Sequence, residues 1–290
     1  MRILLAALGL CANVVFADEA IWSTRESRWV TLEEAAAAIP AGAILLIGEV
    51  HASDDGGTGD KIHHDNQLRL IRALTPLVSV GMEFFSYNRQ PLVDQYLSGA
   101  LAESDFLTRI EWGSSPFAFY REQVRAPSSL GGHTWALNMP REITRAVSRG
   151  GPESLTPAER EYLPPLWEKG SDTYFERFQE LMGGGHIADQ AMERYFWAQS
   201  LWDDTMAWQS VLRARPSEVF AVIVGYFHVE FGDGLAARMR AHGASDVRTL
   251  VQLEVDDVAD LTELRKRTAD PRWGPRADFV WFYTVNSARQ

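Results

Sequence analysis

The chain has 290 residues, 46% hydrophobic and 11% aromatic, enough to bury a full core in one large domain or two small ones. A net charge of −11 and the lack of any basic run exclude a surface that tracks a phosphate backbone, so no nucleic acid partner is expected. The same balance argues against docking on anionic lipid.

In chain order, residues 1–17 (MRILLAALGLCANVVFA) begin with one positive charge, run through a short apolar segment and end in small residues at the positions a signal peptidase reads. They are expected to be a signal peptide cleaved near Ala17–Asp18, since a membrane span needs ~20 apolar residues. The single cysteine, Cys11, follows Leu8-Gly9-Leu10, a poor context for lipid attachment, so no lipid anchor is expected. The mature chain then lacks cysteine, which leaves no disulfide, thiolate metal site or cysteine nucleophile and fits export.

Six short aliphatic runs follow: 43–50, 77–85, 133–139, 219–229, 247–255 and 278–285. Most are continuously apolar, as strands covered on both faces are, and helix-period segments such as NQLRLIRAL and GLAARMRAHG lie between them. The pattern predicts an α/β fold: a mostly parallel central sheet flanked by helices. Residues 140–215 read as helical throughout, an embedded helical subdomain within a single domain spanning 18–290.

Polar residues recur where these runs end. Glu49 and His51 follow AILLIG, Glu83 follows LVSVGM, His228 closes VIVGYFHV, and Asn138 with Arg141 follows HTWAL. In an open α/β sheet, ligands bind outside the strand carboxyl ends. Neutral imidazoles from His51 and His228, with oxygens from Glu49 or Glu83, would suit a divalent metal or an acid–base pair. The alternative is a polar rim whose members bond one another.

The segment HASDDGGTGDKIHHDNQ fits neither a calcium-binding EF-hand loop nor a phosphate-binding loop. Its Asp/Gly portion is expected to be a mobile flap, and Asp65-Asn66 to open a helix with His63 and His64 at its start, where backbone donors favour an anion. Further on, Gln199, Trp202, Asp203 and Met206 share one helix face. Iron in haem can be held by tyrosine or histidine, and Tyr120, Tyr195, Tyr226, His186 and His228 qualify by type, with nothing in the sequence to choose among them.

With these residues assembled, the chain resembles the ChaN-like haem-binding uptake family, grouped with the Tiki, TraB and erythromycin-esterase proteins. The matching pieces run from about Ile44 to Phe282: LLIGEVH, HHDNQ, VGMEFF with Arg89-Gln90, FAFY, ALNMPRE, AQSLWDDTMA, the GxxH of VGYFHV and ADFVWF. The resemblance implies haem as ligand, a role in iron uptake, export to the periplasm or outer membrane, a homodimer that sandwiches haem, and an outer-membrane haem uptake system as partner. It points to Glu49, His51, Glu83 and His228 as shared superfamily positions, and to His64, Gln67, Gln199 and Asp203 as ChaN-type ones. In hydrolytic relatives the Glu/His set carries catalysis or metal, so a metal-dependent hydrolase is the alternative. Tyr226 and Phe227 inside the GxxH depart from the family pattern.

Overall fold

The computed structural model describes residues 18–52 and 57–285. The expected signal peptide and residues 53–56 of the expected flap lie outside them.

An antiparallel pair, β1 (Glu19–Ser23) and β2 (Arg28–Val30), leads into α1 (Leu32–Ala37), β3 (Ile44–Glu49), α2 (Thr58–Ala73) and β4 (Val78–Ser86). Next come α3 (Gln90–Leu97), α4 (Glu103–Arg109), α5 (Arg121–Ser129) and β5 (Gly131–Asn138). A helical stretch then holds α6 (Arg141–Gly150), α7 (Pro157–Arg160), α8 (Asp172–Leu181) and α9 (Asp189–Arg213). The chain returns through β6 (Val219–Gly225), the one-turn α10 (Tyr226–Val229), α11 (Leu235–Ala241), β7 (Val247–Glu254) and α12 (Leu261–Lys266). A two-residue ribbon, β8 (Ala269–Asp270) with β9 (Gly274–Pro275), precedes the last strand, β10 (Phe279–Tyr283).

The fold is α/β. The main sheet runs β2-β1-β10-β7-β3-β6-β4-β5, parallel from β10 to β5 and antiparallel only at the β1–β2 edge. The parallel strands therefore share one carboxyl edge. In β3 and β6 every side chain is buried, and successive residues enter opposite layers. Leu45, Ile47, Ala221 and Ile223 pack with Leu70 and Val124, from α2 and α5. Leu46, Val222 and Val224 pack with Met206 and Met239, from α9 and α11. Covering both faces is what makes such strands read as unbroken apolar runs, and each buried aliphatic side chain contributes ~1.5–3 kcal/mol.

Two expectations are corrected. The run 219–229 is not one strand: β6 stops at Gly225 and the next four residues turn into α10. Phe227 and Val229 are apolar because α10 is packed into the molecule, so composition hid the change of element. The helix expected to open at Asp65-Asn66 begins two turns earlier, at Thr58, after the N-cap Gly57. Residues 57–60 thus begin a helix rather than complete a flap, and His63 and His64 lie within α2, away from its free backbone donors.

Candidate functional site

Glu49 is the last residue of β3, and its parity sends its carboxylate into the layer of α2 and α5, almost wholly buried. Its Oε1 accepts the Tyr120 hydroxyl at 2.9 Å and faces His51 Nδ1 at 3.0 Å, while Oε2 accepts Gln67 Nε2 at 2.8 Å. Burial alone would raise this carboxyl, but His51, His64 and Gln67 outweigh it and hold it below the usual range. Tyr120, which caps α5, also accepts the Ala52 amide at 3.2 Å. One helical turn before Gln67, the His64 ring lies 4.4 Å from that of Tyr120.

Glu83 in β4 serves the other layer. Its Oε2 accepts the Gly225 amide at 2.7 Å, and its Oε1 lies 3.5 Å from His228 Nε2. His228, carried on α10, places Nδ1 2.6 Å from Asp203 Oδ1 on α9. Asp203 Oδ2 accepts the Tyr174 hydroxyl at 2.9 Å, and that hydroxyl accepts Gln199 Nε2 at 3.0 Å. Burial opposes a charge on His228, yet Asp203 and Glu83 override it and lift its pKa to about 10. Burial likewise opposes the Glu83 carboxylate, but His228, His51 and the Gly225 amide bring it down to about 2. A buried imidazolium clasped by two carboxylates results.

The two halves meet at Gly225, the end of β6, which runs between β3 and β4. A Cβ there would stand 3.3 Å from His51 Nε2 and 3.6 Å from Glu83 Oε2. The bare backbone thus leaves a gap through which the His51 ring and the Glu83 carboxylate approach each other. The His51 side chain, 49% exposed, is where the array reaches solvent. Burial disfavours its charge, but Glu49 and Glu83 raise its pKa.

Beside the array lies a cavity of about 470 Å³ walled by three helix faces. From α9 come Tyr195, Ala198, Gln199 and Trp202, from α6 Arg141, Thr144, Arg145 and Ser148, and from the end of α8 Phe178 and Met182. The α9 and α6 sets each follow the i, i+3, i+4, i+7 spacing of one helix face. Gln199 belongs to both sites, since its amide nitrogen also lies 3.1 and 3.3 Å from the two ring nitrogens of His228. Tyr195 is 38% exposed at the mouth. Arg141 and Arg145 have no carboxylate partner among the described residues, whereas Arg177 nearby is paired with Asp233.

The structure gathers Glu49, His51, Gln67, Tyr120, Glu83, Gln199, Asp203 and His228 into one array with His64 against it, and sets Tyr195 apart on the cavity. Tyr226 is half-buried on α10, and His186 is exposed beyond Gly183–Gly185. Asn138 stays outside the array, its Oδ1 accepting the Met139 amide at 2.8 Å. Among the described residues no three His, Cys, Asp or Glu side chains converge on one ion position. Glu49 is spent on Gln67, Tyr120 and His51, and His228 on Asp203, so the metal set expected from Glu49, His51, Glu83 and His228 is not supported by their geometry. Sequence reasoning missed Tyr174, whose hydroxyl orients Asp203, and Arg145. Tyr174 sits in an aromatic-rich helix where nothing separates it from core residues, but Arg145 was recoverable as the next turn of the face that begins at Arg141.

Fold and site together define an open α/β ligand-binding protein, with a buried carboxylate–histidine array at the strand carboxyl ends and an apolar cavity under a helical layer. The chain belongs to the family described as haem-binding uptake, Tiki superfamily, ChaN, whose model matches residues 35–239. It is similar to a solved structure described as cofacial heme binding to ChaN of Campylobacter jejuni, at 14% identity and TM-score 0.63, covering 92% of this chain and 98% of that one. Weaker likenesses include a MARTX toxin effector domain from Vibrio vulnificus, at 18% identity and TM-score 0.40 over 77% of this chain and 36% of that one. An erythromycin esterase mutant in its open conformation gives 11% identity and TM-score 0.40 over 74% and 70%. Comparison with curated proteins gives no match.

Proposed function

We propose that this chain is an exported haem-binding protein of iron uptake that carries haem in the cavity between α6, α8 and α9, with Tyr195 on the iron. The carrying observation is the position of Tyr195, a solvent-reaching phenol on the wall of a largely apolar cavity of ligand size. Among the other candidate ligands, Tyr120 is committed to Glu49 and His228 to Asp203, both deep in the protein. Trp202, Phe178 and Met182 would cover the apolar faces of the tetrapyrrole. Gln199 would meet it with a side chain that Tyr174 holds in place.

Export is supported by the character of residues 1–17, and among the described residues no helix is long and apolar enough to cross a membrane. Leu181, Met182 and Tyr195 are all exposed near the mouth, apolar surface that a second copy of the chain would cover in a homodimer. Exchange of haem with an outer-membrane uptake system belongs to the same reading, and growth on haem as the iron source tests it. At the binding level, haemin titrated into the mature protein is expected to give a shifted Soret band, and Tyr195→Phe to change that spectrum and weaken binding by about ten-fold or more. An identical spectrum and affinity in the variant would remove Tyr195 from the iron.

A second reading, hydrolysis at the Glu49/His51/Glu83/His228 array, is favoured by the strongly displaced proton affinities gathered there. The half-exposed His51 would exchange protons with substrate while Glu49 holds its other nitrogen. No metal is assigned to this reading. Ester or amide turnover that disappears in both Glu49→Gln and His51→Ala, at unchanged haemin affinity, would establish it.

A further inference from the structure

We infer that Arg141 and Arg145 form a carboxylate clamp that makes the cavity selective for porphyrins bearing free acid groups. The inference rests on the haem reading above and goes further, because it specifies which part of the ligand the protein recognises. The two side chains stand one turn apart on the same face of α6, and both line the cavity. In a chain of net charge −11, with 39 acidic residues against 28 basic, the exposed Arg28, Arg69, Arg89 and Arg121 each hold a carboxylate. Arg141 and Arg145 find none among the described residues, while the cavity they border is otherwise lined mainly by apolar and neutral side chains. Two free guanidinium groups on one rim of an apolar cavity are complementary to an amphipathic ligand that is flat and apolar on one side and doubly anionic on the other. Arginine suits that role because its planar fork grips a carboxylate through two parallel hydrogen bonds. Thr144 and Ser148, on the same face, add hydroxyls between and beyond the two cations.

The test compares haemin, haemin dimethyl ester and metal-free protoporphyrin on the mature protein, read by the Soret band and by quenching of tryptophan fluorescence. The wild type is expected to bind haemin at least about ten-fold more tightly than the dimethyl ester, a preference that falls with added salt. In the double variant Arg141→Gln/Arg145→Gln that preference should vanish through weaker binding of the acid, with the ester unaffected. Arg149→Gln removes a charge from the same helix without touching the cavity and should leave the preference intact, which separates the clamp from general electrostatics. Binding of the ester by the wild type as tightly as the acid, or equal loss of both ligands in a double variant with a wild-type circular dichroism spectrum, would overturn the clamp. Protoporphyrin separates the two readings. If haemin shows no iron–protein spectrum while protoporphyrin still binds in an arginine-dependent way, iron ligation by Tyr195 fails and the clamp stands. If neither porphyrin binds, both fail.

Discussion

At the residue scale, His63 and His64 stand side by side in α2, nearly fully buried, and His63 Nε2 and both ring nitrogens of His64 lack a hydrogen-bond partner. Such rings tolerate only the neutral form. Burial brings the His63 pKa down to about 4, with Glu49 and Asp60 pulling the other way, and His64 is displaced in the same direction. In the unfolded chain these imidazoles regain the ordinary value near 6.5. Between those values the unfolded chain binds more protons, so stability is complete above about pH 6.5 and is lost as the pH falls towards 4. For His63 alone the loss approaches roughly 3 kcal/mol. Urea unfolding at pH 7 and pH 4.5 should show a smaller drop in midpoint for His63→Phe than for the wild type, and an equal drop in both would rule His63 out. Glu49, His51 and Glu83 were legible in the sequence because charge at the end of a long apolar run is conspicuous. Tyr174 was not, because a buried hydroxyl that orients a carboxylate looks in sequence like any core aromatic.

Among the elements, α10 shows how one small residue places the His228 side chain. It packs on β3 where Gly48 has no side chain, since a Cβ at Gly48 would lie 3.1 Å from Tyr226 Cα and 3.2 Å from Val229 Cβ. Gly48→Ala is therefore expected to push α10 away from the sheet and lengthen the reach from His228 to Glu83. The expected cost is about 1–3 kcal/mol, as for overpacking in a close-packed interior. Chemical denaturation checks the stability, and an imidazole NMR titration of His228 checks the displacement; unchanged values in both would show that α10 does not depend on that gap. The parallel strands were readable from their unbroken aliphatic runs, whereas β1 and β2, short antiparallel strands of five and three residues, carry too little pattern to stand out. The end of β6 was misread for a related reason: VIVGYFHV stays apolar as the period changes, and only backbone geometry separates strand from turn. The start of α2 was set by the packing of its buried face rather than by the polar residues that seemed to cap it.

For the whole molecule, haem at the cavity would bridge α6 and α9, of which α9 packs on the sheet and α6 packs on α9, so ligation should be felt in global stability. At one hundred times its dissociation constant a ligand of the native state adds about 2.7 kcal/mol, which for a chain of this size corresponds to a rise of about 5–10 °C in Tm. Scanning calorimetry with and without haemin checks this, and light scattering on the same samples reads whether the mass doubles. An unchanged Tm at saturating haemin would argue that the pigment sits on the surface rather than in the cavity. A β-sheet ordinarily insulates the two layers it separates, because several ångströms of packed hydrocarbon lie between charges on opposite faces. At Gly225 this sheet has a window. Through it the ring of His51, open to water on one side, senses the carboxylate that shares its field with His228 on the other, and the two imidazoles repel each other's protons. The charge His51 carries at the water side is therefore set in part by groups on the far side of the sheet, without any backbone having to move.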